Sequence, residues 1–350
     1  MVDYGTGAGG FVYRLAKAEP QLQVVPFPER LSGTGLFSDV RELKPASGVL
    51  PYVINVPGWH DGAESVHHMA LPGDGKLELR SSKSWQAPDG TALAQTLNIG
   101  GRRIETRVLL KQQNDWAGYS YVWNAEQSEA TLAPKAGADM EIGGGQPWRV
   151  PSRAECMMCH SRQANFALTL HDAQLNHGDQ LQRWERMGLL SSNAAAFDRE
   201  RAQFGKTPRP ASSEERQRGS PVTGLLPRNP DRLAKFVKSN HEGATVEQRA
   251  RSYLGVNCAH CHTIYGGGNS PMEFDWFVSL KEMQTIDRAP EHGTLDLENA
   301  RVVAPGAPGR SVLIPRVARR GPGQMPPVGT RVGDPEGVRV LAEWVMSLRE

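Results

Sequence analysis

All four cysteines of the chain fall into two copies of one pattern, Cys156-Met157-Met158-Cys159-His160 and Cys258-Ala259-His260-Cys261-His262. A Cys-x-x-Cys-His run is the attachment signature of c-type haem. Two thiolates held apart by a two-residue spacer add across the vinyl groups of a porphyrin, and the adjoining His supplies an axial nitrogen to the iron. On this reading Cys156, Cys159, Cys258 and Cys261 attach two haems covalently, and His160 and His262 are the proximal iron ligands. No cysteine is left for a disulfide or a catalytic thiol. Paired Cys-x-x-Cys runs also build structural zinc sites. Those knuckles lie about 15 to 20 residues apart, whereas these are separated by about a hundred. A His directly after both pairs favours haem over a zinc knuckle or a redox dithiol.

Residues 245–350 resemble a cytochrome c domain, and that resemblance implies Met325, in Gly321-Pro322-Gly323-Gln324-Met325-Pro326-Pro327-Val328-Gly329 about sixty residues beyond His262, as the distal candidate for the second haem. Prolines restrict such a loop and help hold a weak thioether on iron. Met272 and Met346 are the other candidates, and Met346 reads as a core residue of the last helix. Gly266-Gly267-Gly268 lacks the Lys-Ser/Thr of a phosphate loop and reads as a loop beside the haem edge. The first haem's distal side stays open. His171, His177, Met187, Met140, His60 and the cluster His67-His68-Met69 can each be proposed, and no spacing singles one out.

Composition bounds the rest. The 350 residues carry 40 Lys+Arg against 38 Asp+Glu, a net charge of +2, with 39% hydrophobic residues. That balance gives no reason to invoke nucleic acid or an anionic membrane surface. Mean hydropathy is −0.48, and no apolar run approaches the roughly 18 residues of a membrane span. The 37 Gly and 25 Pro imply many turns and irregular connections. Met1 to Gly10 has neither a basic start nor an apolar stretch, so it is not a signal peptide. Covalent haem of this kind is attached after export. The expectation is a periplasmic or otherwise exported protein, of which this chain is a portion.

The elements that must position the motifs change character along the chain. Residues 1–45 read as a tail, with a short strand at Gly10–Leu15. Strand patterns follow at Tyr52–Val56, Leu77–Arg80, Ala92–Leu97, Ile104–Leu110 and Tyr119–Trp123, separated by Gly, Pro, Asn and Asp. Beyond Cys159 the apolar period becomes helical, from Ala173 through Leu181, Trp184, Met187 and Leu190. Residues 203–232 are rich in Pro, Arg, Ser and Gly and read as a linker. Val246–Leu254 leads as a helix into the second motif, and Glu336–Met346 is a closing helix. The fold class expected is α+β: an antiparallel, β-rich, sandwich-like domain over 46–200 carrying one haem, a linker over 201–240, and an all-α cytochrome c domain over 241–350 carrying the other.

Two resemblances sharpen this. The runs Trp85–Thr91, Thr106–Lys111 and Trp116–Tyr121, followed by a Cys-x-x-Cys-His motif, are similar to the cytochrome P460 family. That resemblance implies a haem on a β-sandwich, often with an open distal site and a Lys linked to the porphyrin; Lys111 is the one Lys near the corresponding place, though a surface role is the default for a lysine. Taken whole, the chain resembles the dihaem cytochrome region attached to bacterial sugar dehydrogenases (sorbosone/glucose-type) that use pyrroloquinoline quinone. The resemblance is carried by Tyr119–Gln127, Pro151–Cys156, Ala304–Leu313 and Gly323–Pro327, and Asp3–Leu15 resembles the last strand of such a dehydrogenase's propeller. His60, in Trp59-His60-Asp61-Gly62, departs from it where a small residue is expected. The resemblance implies electron transfer from a dehydrogenase domain or partner to a separate acceptor, with no substrate chemistry of the chain's own. The competing expectation is a haem enzyme with an open first site that reduces peroxide or oxidises a small nitrogen compound. A zinc-stapled binding module is a third.

Overall fold

The computed structural model describes residues 2–3, 11–12, 26–79, 85–113, 115–192 and 233–349. The linker expected over 203–232 and most of the expected tail lie outside these residues. Two short strands pair at the start, β1 (Val2–Asp3) with β2 (Phe11–Val12), and a hairpin of β3 (Phe37–Asp39) and β4 (Lys44–Pro45) follows.

The centre is a six-stranded antiparallel sheet in the order β12 (Ala130–Leu132), β11 (Asp115–Trp123), β10 (Arg102–Gln112), β9 (Ala92–Ile99), β6 (Glu64–Ala70) and β5 (Val49–Tyr52). Side chains alternate between its faces, and both faces are covered. One face packs Ala94, Val108 and Tyr121 against Leu31, Leu36, Phe37 and Val40. The other packs Tyr52, Met69, Leu93 and Leu109 against Trp85, Leu170, Leu175 and Trp184. A small sheet of β7 (Leu77–Leu79), β8 (Trp85–Gln86) and β15 (Leu190–Ser192) closes that second core.

On this second face the register aligns Tyr52 with His67, His67 with Gln95, Gln95 with Arg107 and Arg107 with Ser120. The result is a polar rung across five strands. Next to it runs the rung Leu50, Met69, Leu93, Leu109 and Gly118. A row of polar side chains in the middle of a covered sheet face is costly unless each finds a partner.

The hairpin β13 (Ala138–Ile142) and β14 (Gln146–Val150) leads into helix α1 (Arg153–Cys159). Two short helices follow, α2 (Asp172–Leu175) and α3 (Gln180–Arg186), interrupted by Gly178 at φ +52°. The expected strand over 52–56 ends at Tyr52, because side chains take the backbone partners of its remainder. Gln180 binds both the N–H and the carbonyl of Val53, and Gln174 does the same for Val56.

The C-terminal part holds α4 (Val246–Asn257), α5 (Leu313–Ala318) and α6 (Pro335–Ser347). The expectation of a second, all-α domain is overturned: the described residues are β-rich, with only about 21% of them helical. Between α4 and α5 the chain runs irregularly, pinned by isolated bridges from Ile286 to Val303 and from Arg301 to Ser311. The glycines and prolines of that stretch break helical continuity. Buried Arg251 of α4 holds part of it in place, donating to the carbonyls of Asp275, Trp276 and Val278.

Helix α6 is capped by Asp334, which accepts from Gly337 N at 2.9 Å, with Pro335 at its first turn. Its Val340, Leu341 and Trp344 pack in one core with Ala250, Tyr253 and Leu254 of α4. At the crossing, a Cβ on Gly337 would overlap the Tyr253 ring. Gly337→Ala is therefore expected to force the two helices apart and to lower stability by about 1–3 kcal/mol, the usual range for overpacking, measured as a shift in the denaturant midpoint.

Candidate functional site: two cavities with a common wall

Helix α1 begins on a capping box. Ser152 Oγ accepts from Glu155 N at 3.1 Å, and Glu155 accepts from Ser152 N at 2.6 Å. Arg149 on β14 adds an ion pair to Glu155 at 2.8 Å. The helix lies directly on the sheet: a Cβ on Gly118 would sit 2.8 Å from both Cβ and Sγ of Cys156. Gly118 lets the first motif seat there.

Beside it lies a cavity of about 230 Å³, bordered by Cys156, Cys159 and His160 of the motif, by Tyr52, His67, Gln95 and Arg107 of the polar rung, and by His60. The His160 ring is fixed by Nδ1–H donating to Phe166 O at 2.5 Å, which leaves Nε2 as the atom available to a metal. Burial pushes the His160 pKa down to about 4, keeping the imidazole neutral, as a ligand must be.

Across the cavity several polar groups pair with one another, while Ser120 Oγ of the rung and His260 Nδ1 at the cavity wall have no hydrogen-bond partner among the described residues. Arg107 pairs with Glu105 at 3.0 Å, and Glu105 accepts from Trp148 Nε1 at 3.0 Å. Burial opposes the Arg107 charge, and Glu105 more than offsets it. His60 stands with Nδ1 3.4 Å from the Arg107 guanidinium and Nε2 3.1 Å from the Gln95 amide. Burial first, and Arg107 second, push the His60 pKa well below its ordinary value.

The second motif is delivered by α4, which carries its own capping box between Thr245 and Gln248. Its cavity, about 280 Å³, is bordered by Cys258, Cys261, His262, Met272, Phe274 and Met325. His262 Nδ1 lies 3.2 Å from Ser270 Oγ, again leaving Nε2 as the available nitrogen, and burial lowers its pKa. Gly268 closes over the motif: a Cβ there would lie 2.8 Å from His262 Nδ1 and from Cys261 O. The three-glycine run thus wraps the motif backbone. Met325 is anchored by its N–H to Arg316 O at 2.8 Å. Met346 is 60% exposed rather than core as expected.

The two cavities share Asn257, His260 and Pro326. There the motifs meet, with Cys261 Sγ 3.6 Å from Met158 O. The donor atoms of Cys159, His260 and Cys261 all lie within 4.8 Å of one another. Hydrogen bonding from Cys159 is the leading influence lowering the Cys261 pKa, with His260 adding to it, and the same contact raises that of Cys159. Two sulfurs and a nitrogen at this spacing could hold a zinc ion. They are also the thiols that haem attachment would consume.

The remaining candidates for the first distal position lie elsewhere. His68 packs edge-on to Phe37, His171 stacks on Trp276 at 4.7 Å, and His177 bonds Asn55. Met69 is in the sheet core, Met140 packs beside Trp148, and Met187 is exposed. Lys111, for which a surface role was the default, is buried, donates to Ala87 O at 2.6 Å and does not border the cavity. Gln95, Arg107, Tyr52 and Asn257 also border the first cavity, and no motif marks them in the sequence. The signal for Arg107 was its alternation with Glu105 and Leu109 on one strand face.

No family model, curated protein or solved structure matches this chain. No helix among the described residues is long and apolar enough to cross a membrane.

Removing the cation of the Glu105–Arg107 pair leaves a buried carboxylate without its partner. Arg107→Leu is expected to cost about 3 kcal/mol or more, read from denaturant unfolding, and Glu105→Gln in the same chain to recover part of the loss.

Proposed function

We propose that the chain is a dihaem c-type cytochrome that relays electrons between a donor and an acceptor. One observation carries the reading: two Cys-x-x-Cys-His runs about a hundred residues apart each border a cavity of their own, and the cavities share a wall. Bound haem would supply a one-electron ferric/ferrous couple at each position. Cys156 and Cys159 would hold one group, Cys258 and Cys261 the other. His160 and His262 offer neutral imidazoles whose Nδ1 atoms are already engaged. Met325 offers a thioether in the same cavity as His262, and a sulfur ligand favours the ferrous state and raises the potential. Apolar residues such as Leu93 and Leu109 at the first cavity and Phe274 and Val302 at the second would help exclude water from a bound group. The donor on this reading is a quinone-dependent sugar dehydrogenase domain or partner, the acceptor a soluble or membrane one, and the compartment the periplasm or another exported location.

A second reading is favoured by His60 and Arg107, which border the first cavity. They could hydrogen-bond a small exogenous ligand, as a haem enzyme acting on peroxide or a small nitrogen compound requires.

Protein exported through a c-type maturation pathway is expected to give a pyridine haemochrome of two c-type haems per chain. Zinc with no covalent haem would sink the electron-transfer reading. Carbon monoxide titration of the reduced protein separates the two haem readings. Uptake of one equivalent, weakened by His60→Ala, supports the enzyme; no uptake leaves the electron relay.

A further inference from the structure

We propose that the turn Trp59-His60-Asp61, which belongs to the β-rich part of the chain, is the positioning device for the Met325 loop. The inference rests on the reading in which Met325 is an axial ligand of the second haem. It goes beyond that reading by assigning the loop's geometry to residues more than two hundred positions away.

Asp61 is 4% exposed, and its carboxylate accepts from Arg331 N and Val332 N, each at 2.9 Å. The Trp59 indole N–H donates to Val332 O at 2.8 Å. One short segment, six to seven residues past Met325, is therefore gripped through two backbone N–H groups and a carbonyl. Five residues intervene, and the two next to Met325 are Pro326 and Pro327, whose fixed φ angles limit how far the loop can relax at the Met325 end. The other side of the loop is tied where Met325 N donates to Arg316 O.

The same turn also reaches the attachment side of the second cavity. Trp59 N donates to Asn257 Oδ1 at 2.8 Å, and Asn257 closes α4 immediately before Cys258. Both walls of the second cavity are thus referenced to one turn, and His60 in its middle faces the first cavity. The turn is itself held firmly. Asp61 sits in the left-handed region at φ +54°, its carbonyl accepts from Gln146 Nε2 at 2.8 Å, and Ala63 N donates to His60 O at 2.9 Å. A thioether is a weak iron ligand, so it stays bound only where the loop presenting it is already ordered. Charge-assisted hydrogen bonds accepted by a buried carboxylate are the strong kind.

The test uses the full chain carrying both haems. Asp61→Asn keeps the size of the side chain but removes its charge and sets an amide donor against Arg331 N in place of Oδ2; Trp59→Phe removes one hydrogen bond and keeps an aromatic ring. Asp139→Asn is the control, since it breaks an exposed ion pair to Arg331 on the same segment. Three quantities are read: the weak red charge-transfer band of Met-ligated ferric haem, imidazole affinity at the second iron, and the thermal midpoint. Asp61→Asn is expected to diminish the band and tighten imidazole binding by about tenfold or more. Trp59→Phe should fall between Asp61→Asn and wild type, and Asp139→Asn should match wild type. A purely structural role would lower the thermal midpoint of Asp61→Asn and leave band and affinity unchanged, which overturns the positioning. Wild type without the band, or Met325→Ala that retains it, overturns the ligand reading itself and the proposal with it.

Discussion

Two motifs far apart in sequence meet where Cys159, His260 and Cys261 converge, and much of the structure around the site serves that meeting. Each motif is presented by a helix with a capping box at its start, Ser152/Glu155 for the first and Thr245/Gln248 for the second. Capping fixes where a helix begins, and so where its last turn delivers a side chain. Seating then depends on close backbone approach, from Gly118 beneath Cys156 and from Gly268 over His262. With those fixed, Cys159, His260 and Cys261 converge to within 4.8 Å. The wall between the cavities is only a few side chains thick.

The two cavities differ in the chemistry of their linings. Around the second, apolar side chains dominate, and Met272, Phe274 and Met325 sit beside His262. The first is crossed by the rung of Tyr52, His67, Gln95 and Arg107. Its polar groups are tolerated because partners exist: Tyr52 with Thr169 at 3.1 Å, His67 with Ser65 at 3.0 Å, Arg107 with Glu105, and Glu105 in turn with Trp148. An ion pair in that position is weak evidence for stability, since hydrophobic replacements often do as well. Of the pair, Arg107 borders the motif cavity.

How much of this could be read from the sequence depended on how local the determining physics is. The motif residues are defined by adjacency, and Met325 by a loop composition that restricts its backbone; His262 and Met325 do border one cavity. Strands β9, β10 and β11 followed from alternation and the closing helix from its apolar face. The polar rung did not, because it exists only once four strand pairings fix their register. Likewise, nothing in the run from Val53 to Val56 announces that Gln174 and Gln180 will occupy its backbone groups. The all-α expectation failed in the stretch between α4 and α5, where Arg251 binds carbonyls that a helix would have used internally. For Met346 the helical period gave the right element, but which face is covered depends on α4, and the side chain points to solvent.

His60 departed from the pattern expected at its position, and its setting gives that departure physical content. A small residue there would leave Gln95 and Arg107 without the imidazole between them. The flanking residues of the same turn hold the far cavity, Trp59 through Asn257 and Val332, Asp61 through Arg331 and Val332. A side chain that faces one cavity is therefore covalently continuous with the groups that order the other. Packed, hydrogen-bonded turns of this kind move as units rather than deforming smoothly. A change at the first cavity that displaces His60 must then either strain the turn or carry Asp61 and the Met325 loop with it. One hydrogen-bonded turn is thus the structural link between the two cavities.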